Sequence, residues 1–202
     1  MQQLAKAKKF EAAARLRDKI VAVEDLYKGK PRKHQLLSLK EILNLPHIPL
    51  VIEAIDISSL GKQDSVGSVV VFQDGVADKS NYRRFLIREA KRKDDYAMIA
   101  EVIRRRYSRL LRENKKVPDL IIIDGGAGHV ARAKKVLEEL KVSIPVVGIA
   151  KRNEEIWFPY KNKPLCIPKD SPCLHLIQRI RDEAHRFAHS YQLLRRKKTM
   201  GV

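Results

Sequence analysis

Two apolar runs in the sequence each contain an aspartate that a buried strand does not ordinarily tolerate. The runs are VIEAIDIS (51–58), which contains Asp56, and DLIIIDGG (119–126), which contains Asp124. Both have the length and β-branched composition of buried strands. An ionised carboxylate at a core position is costly unless a cation holds it there. The chain must therefore fold so that the two acids meet a cation, and the simplest such arrangement is a metal site.

The chain is strongly basic, which indicates the kind of partner that it binds. It has 42 Lys and Arg residues against 24 Asp and Glu residues, for a formal net charge of +18. Such a surplus favours nucleic acid as the partner, and we expect DNA or RNA. Because the basic residues do not gather on one amphipathic helix, no membrane partner is expected. The N-terminus lacks the apolar core of a secretory signal, which predicts a cytoplasmic protein.

The order of the predicted elements indicates the α/β class. Three strands joined by short connections come first and predict an antiparallel meander. Helix, strand, helix, strand and helix follow, which predicts a mixed sheet with helices on its faces. This order resembles that of the ribonuclease H-like fold. The predicted strands cover residues 50–57, 66–73, 81–87, 119–124 and 145–149, and the predicted helices cover residues 94–112, 128–140 and 171–196.

The first 48 residues are predicted to form a small appendage and a connection. Residues 3–27 have one apolar stripe of helical spacing, which needs a partner because a lone helix of this length is marginal in water. The stripe includes Phe10, Ala13, Leu16 and Ile20. Residues 28–48 are basic, contain Pro and Gly, and are predicted to be a linker with a short helix over 36–45. The main domain is then expected over residues 49–198.

The acids and one histidine can be interpreted in two ways each. Asp124 lies at the C-terminal edge of the sheet, where open α/β sheets bind ligands, although a helix N-cap is the alternative. Asp56 is either a metal ligand or an edge-strand acid paired with an arginine. Asp94 and Asp95 begin a helix, where acids also favour the helix dipole, and the spacing does not choose between them. His185, on the last helix, is either a proton-transfer group beside the metal or a surface histidine.

Two further features concern nucleotides and phosphates. The chain has no GxxxxGK[ST] loop, so the tetrapeptide DEAH (182–185) does not indicate a helicase, and no nucleotide cofactor is expected. The stretch from 79 to 116 is rich in arginine and is expected to contact DNA phosphates without sequence preference. The candidate contacts are Arg83, Arg84, Arg88, Arg104, Arg105, Arg106 and Arg109.

Several segments together resemble the C-terminal half of UvrC, the incision nuclease of bacterial nucleotide excision repair. They cover most of residues 48–196 in the same order. The segments are IEAIDIS (52–58), VGSVVVFQDG (66–75), YRRF (82–85), DDYAMIAEVIRRRYSRLL (94–111), PDLIIIDGG (118–126), IPVVGIAKR (144–152) and DSPCLHLIQRIRDEAHRFA (170–188). FEAAARLRDKI (10–20) also resembles the UVR motif, a helical hairpin through which UvrC contacts UvrB.

The resemblance implies an RNase H-like endonuclease domain that makes the 5′ incision beside a DNA lesion. It implies a catalytic set of Asp56, Asp95, Asp124 and His185, with Mg²⁺ or Mn²⁺ held by the three aspartates. It also implies UvrB as a partner, bound through the stripe of Phe10, Ala13, Leu16 and Ile20. The GIY-YIG nuclease and the helix-hairpin-helix repeats of UvrC have no counterpart here, so we expect a fragment or a reduced homologue.

The sequence departs from the family at three positions near the site. UvrC proteins commonly carry His where Ser59 stands, and Lys and Gln where Ala127 and His129 stand. These departures motivate a second hypothesis, a non-catalytic module that docks UvrB and DNA and whose nuclease has decayed. A ribonuclease H that acts on RNA–DNA hybrids is a third.

Overall fold

The centre of the domain is an eight-stranded mixed sheet. It is seen in a computed structural model that describes residues 32–60, 64–90, 94–150 and 155–200. The strands lie in the order β3-β2-β1-β5-β6-β7-β8, and β4 pairs with another part of β2. They are β1 (Val51–Leu60), β2 (Asp64–Gln73), β3 (Val76–Ala77), β4 (Arg83–Leu86), β5 (Leu120–Asp124), β6 (Val146–Ala150), β7 (Glu155–Trp157) and β8 (Leu165–Cys166).

Strand β1 joins the antiparallel part of the sheet to the parallel part. It runs antiparallel to β2, with Asp56 opposite Ser68. It runs parallel to β5, with Ile55 beside Ile123, and β5 is in turn parallel to β6. Strands that are covered on both faces have near-continuous apolar sequences, which explains why β5 and β6 show no alternation.

Four α-helices in the described part of the chain cover the two faces of the sheet. They are α1 (32–43), α2 (Asp95–Arg112), α3 (Ala127–Glu139) and α4 (Pro172–Met200). Helices α2 and α3 share a core with Ile55 and Ile123. Helices α1 and α4 share the other core with Ile52 and Ile122. Because successive strand residues point to opposite faces, alternate residues of β1 and β5 supply two separate cores.

The predicted α/β class and element order are confirmed, and the differences are local. Helix α2 starts where it was predicted because Asp94 is its N-cap, with Oδ1 accepting a hydrogen bond from the Ala97 N–H at 2.9 Å. Strands β3, β7 and β8 were not predicted, since two or three residues show no periodicity. The stretch between β6 and α4, where no strand was predicted, contains β7 and β8.

The segment predicted as a linker over 28–48 is partly a core element. Residues 32–43 form α1, and Leu36, Leu39 and Leu43 are buried in the same core as α4. Their three- and four-residue spacing is that of an amphipathic helix, so the packed domain begins before residue 49. Residues 1–27, with the stripe from Phe10 to Ile20, lie outside the described residues. None of the helices in the described ranges has the length and apolarity needed to cross a membrane.

Candidate metal centre

Asp56 is a buried acid in the interior of the sheet. It continues the face of β1 that carries Ile52 and Ala54, whose side chains pack in the core with α4. Only 6% of Asp56 is exposed. Strand β1 lies between β2 and β5, so the alternative of an edge-strand acid does not hold. The buried position makes a compensating cation or a set of donors necessary.

Asp124 lies at the open end of β5, where the chain turns sharply into α3. The N-cap of α3 is Gly126, and no side chain caps this helix, so Asp124 is not a capping residue. The Gly125 N–H is still paired with β6 and donates to the carbonyl of Ile149 at 3.1 Å. A side chain at Gly148 would collide with the carbonyl oxygen of Gly125. The bare backbone of Gly148 therefore lets β5 end at Asp124, at the edge where ligands bind.

Helix α4 brings His185 to the two aspartates. The helix is held on the sheet by buried residues such as Ile180, Ala184 and Ala188. His185 Nδ1 lies 3.7 Å from Asp56 Oδ2, and 63% of the His185 side chain is exposed. Asp56, Asp124 and His185 each offer a ligand atom, and these atoms lie within 4.8 Å of one another. Three elements that are distant in sequence therefore converge on one point.

The structure separates the roles of Asp94 and Asp95. Asp94 caps α2 through its carboxylate, whereas Asp95 is the exposed first residue of the helix. The Tyr96 ring packs directly against Gly128. The two are so close that a side chain at Gly128 would collide with the ring. The first turn of α2 thus contacts the first turn of α3, close to Asp124. Asp95 is not one of the residues whose ligand atoms form the group around Asp56, and its catalytic role stays a prediction.

The donor set of this site fits Mg²⁺ or Mn²⁺. Carboxylate oxygens are the ligands that both ions prefer, and Mn²⁺ also accepts imidazole. Asp56 and Asp124 carry like charges at short range in a partly buried place, and a divalent cation would relieve both the repulsion and the cost of burial. The exposed His185 leaves one side of the group open to water and phosphate.

Ser68 provides a stability prediction beside the site. It is fully buried opposite Asp56, and its hydroxyl has no hydrogen-bond partner among the described residues. A buried, unsatisfied hydroxyl costs about 1–3 kcal/mol, so Ser68→Ala should raise the urea midpoint of the metal-free protein.

Ser38→Ala is the matched control for this prediction, because the Ser38 hydroxyl is hydrogen-bonded to that of Ser171. This substitution should lower the midpoint. A lower midpoint for Ser68→Ala would show that its hydroxyl is bonded in solution.

Arg106 was predicted to contact DNA, and this prediction is wrong. The residue is buried, and its guanidinium pairs with Glu53 at 2.5 Å from Nη2 to Oε1. Burial alone would lower the pKa of Arg106, but the bonds to Glu53 outweigh it and the pKa is raised. Arg106 has the helical spacing of Ile99, Ile103 and Leu110, so it belongs to the stripe of α2 that faces the sheet.

The other predicted DNA contacts divide by exposure. Arg84 and Arg105 have internal contacts: Arg84 stacks on Phe187 of α4 at 3.9 Å, and Arg105 donates to the carbonyl of Leu86 at 2.7 Å. Arg83 donates to the carbonyls of Ser80 and Tyr82. The exposed members are Arg88, Arg104 and Arg109, and their contact with phosphate stays a prediction.

Two glutamates with structural roles were missed by the sequence reasoning. Glu53 binds both Arg106 and the Tyr107 hydroxyl (2.9 Å), and its signal was a charge inside an apolar strand. Glu101 accepts hydrogen bonds from the backbone N–H groups of residues 88–90 at 2.9–3.2 Å, which ties the segment that follows β4 to α2. Burial alone would raise the pKa of Glu101, but these donors lower it. No sequence signal distinguishes Glu101 from a solvated helix residue.

Residues 40–189 match the family model of the UvrC RNase H endonuclease domain. The UvrABC system protein C of Methanospirillum hungatei is 53% identical over 168 residues, which cover 83% of this chain and 32% of that protein. Its namesake in Treponema denticola is 45% identical over 185 residues, which cover 90% of this chain and 26% of that protein.

The chain spans about a third or less of the length of these relatives. Among solved structures, the endonuclease V of Bacillus subtilis overlaps 77% of this chain and 90% of its own, with a TM-score of 0.42 and 13% identity. This is a loose likeness.

Proposed function

The chain belongs to the UvrC RNase H endonuclease domain family, and from that premise we propose that it is a divalent-metal-dependent DNA endonuclease that makes the 5′ incision in nucleotide excision repair. The observation that carries the proposal is the convergence of Asp56, Asp124 and His185 at the open edge of the sheet. Asp56 is buried, and an ionised carboxylate at such a place is costly unless a cation compensates it.

In the proposed mechanism, Asp56 and Asp124 would hold Mg²⁺ or Mn²⁺, and Asp95, at the start of α2, is the proposed third ligand. Such an ion, when bound, supplies Lewis-acid stabilisation of phosphate charge and favours deprotonation of the attacking water. His185 is exposed on the side from which a phosphodiester approaches and can give a proton to the departing 3′-oxygen. Helix α4 holds His185 near both carboxylates, with 3.7 Å between His185 Nδ1 and Asp56 Oδ2, so these three groups are close together before a substrate binds.

The proposed partners are damaged duplex DNA and UvrB. The net charge of +18 favours a polyanion, and the exposed Arg88, Arg104 and Arg109 are the proposed phosphate contacts. Arg104 and Arg109 each form a surface ion pair, with Glu139 and Glu113. Such pairs are weak and can exchange for phosphate. UvrB is proposed to bind the stripe of Phe10, Ala13, Leu16 and Ile20.

A nicking assay tests the proposal and separates it from the docking-module hypothesis. The purified chain is mixed with UvrB and a lesion-bearing duplex, in Mn²⁺ and then in excess chelator. We expect a nick on the 5′ side of the lesion in Mn²⁺ and none in chelator, because the carboxylates cannot act without the ion. Retained DNA binding with no nick at any Mn²⁺ concentration would instead support the docking module, which the residues at Ser59 and Ala127 motivate.

A further inference from the structure

A groove lined by two tyrosines lies beside the metal centre and takes no part in the mechanism above. Its volume is about 400 Å³. It is bounded by α3, by the first turn of α2 and by the segment between β7 and β8. The groove, called here the tyrosine groove, is lined by Tyr96, Gly128, Ala131, Arg132, Lys135 and Tyr160.

Both tyrosines present aromatic surface to solvent. Tyr96 is 50% exposed and Tyr160 is 67% exposed. Each also has a contact within the protein. The Tyr96 ring lies against that of His129, tilted by 37°, with 4.7 Å between the ring centroids, and the Tyr160 hydroxyl donates to Glu138 Oε2 at 3.3 Å. Exposed aromatic surfaces that lie together are typical of recognition sites.

The charge of the groove matches a nucleic-acid strand. Arg132 and Lys135 follow each other at i and i+3 on α3, so they lie on one face of the helix. Their aliphatic stems contribute to an apolar lining, and their cationic ends add positive charge. An aromatic platform combined with cations is the arrangement by which proteins hold unpaired nucleotides: bases stack on the rings and phosphates meet the cations.

The tyrosine groove also lies next to the reacting end of the site. Tyr96 directly follows Asp95, and its ring packs on Gly128 in the first turn of α3. That turn begins just after Asp124. A strand whose phosphate sits at Asp124 therefore reaches the groove within a few nucleotides.

We propose that the tyrosine groove binds unpaired nucleotides of the DNA strand that is cut, next to the scissile phosphate. The proposal rests on the proposed nuclease function and adds its substrate preference: the strand is held as single-stranded DNA on one side of the cut. The preference for unpaired nucleotides comes from stacking of bases on the rings, so it does not depend on base sequence.

The test measures binding without cleavage. A fluorescent single-stranded oligothymidine is titrated with the full chain in excess chelator, and the dissociation constant is taken from anisotropy. Tyr160→Ala should weaken binding by about fivefold to a hundredfold, which is the range for loss of one stacked base. Tyr160→Phe keeps the ring and should stay within about twofold of the parent chain. Lys135→Gln should reduce the slope of log affinity against log salt concentration by roughly 0.7.

Two controls make the result decisive. Leu111→Ala removes a similarly exposed apolar side chain, at the far end of α2, and should leave the affinity unchanged. The unfolding midpoint of Tyr160→Ala should equal that of the parent chain, because most of this side chain is in water. Unchanged affinity for Tyr160→Ala would overturn the proposal. An equal loss in Tyr160→Phe would also overturn it, since stacking does not need the hydroxyl. Because cleavage is absent throughout, neither outcome depends on the nuclease proposal.

Discussion

Asp124→Asn should abolish DNA nicking while DNA binding survives. Asparagine keeps the shape of the side chain at the end of β5 but removes the charge that attracts a divalent ion. Removal of a residue that only hydrogen-bonds to a metal ligand typically lowers metal affinity or activity by about 10–100-fold. Removal of a carboxylate ligand itself should therefore lower the nicking rate by more than about 100-fold. The rate is measured on a lesion-bearing duplex in Mn²⁺, and Mn²⁺ affinity is measured in parallel by calorimetry.

The same substitution should not destabilise the metal-free protein. Asp56 and Asp124 offer oxygens within the same 4.8 Å group, so removal of one charge relieves a repulsion. We therefore expect an unfolding temperature equal to or above that of the parent chain. Asp182→Asn is the matched control, since Asp182 is an exposed acid of α4 that contacts Arg181. A nicking rate for Asp124→Asn equal to that of the control would exclude the proposed centre.

Glu53→Gln should destabilise the fold more than any surface substitution. Glu53 is 2% exposed and binds Arg106 and Tyr107 in the interior. Burial, together with the negative charge of Glu53, raises the pKa of Tyr107 well above the ordinary value for tyrosine. Without that charge, the Arg106 guanidinium remains buried and uncompensated, which typically costs about 3–5 kcal/mol. The free energy of unfolding is measured in urea.

Two further variants test whether the cost has this origin. Glu113→Gln breaks the surface ion pairs of Glu113 with Arg109 and Lys115 at the end of α2, the helix that carries Arg106, and it should leave the urea midpoint nearly unchanged. The triple variant Glu53→Leu, Arg106→Met and Tyr107→Phe removes every member of the buried group and should recover most of the stability. A Glu53→Gln variant as stable as Glu113→Gln would show that water or another group compensates Arg106.

Long apolar runs explain why much of the fold was predictable. Strands β5 and β6 are largely apolar runs, β1 is an apolar run interrupted by Glu53 and Asp56, and α2 begins at a recognisable cap, Asp94. A strand that is buried on both faces needs apolar residues at nearly every position, so its sequence alone indicates a strand. Strand β3 has two residues and depends on its partner β2, so no local pattern indicates it. A short helix was predicted over 36–45, but the basic residues before it favoured a linker, so its place in the core through Leu36, Leu39 and Leu43 was not predicted.

Some residues of the site were predictable from local sequence, and others depend on contacts between distant elements. Asp56 and Asp124 were visible because a charge inside an apolar strand is costly wherever it occurs. His185 depends on where α4 crosses the sheet, and sequence spacing holds no information on that crossing. Arg106 shows the opposite case: its helical spacing with Ile103 and Leu110 was available, but the basic composition of the stretch favoured a surface interpretation.

The position of α4 on the sheet determines the stage of folding at which the proposed active site is complete. Asp56 is on the first strand, whereas His185 is on the last described helix, held by contacts such as those of Ile180 and Ala184. A chain still emerging from the ribosome, or one whose α4 has detached, has its carboxylates without the imidazole. Under the proposed function, such a chain lacks the proton donor for the departing 3′-oxygen. Nuclease activity therefore requires the completed fold.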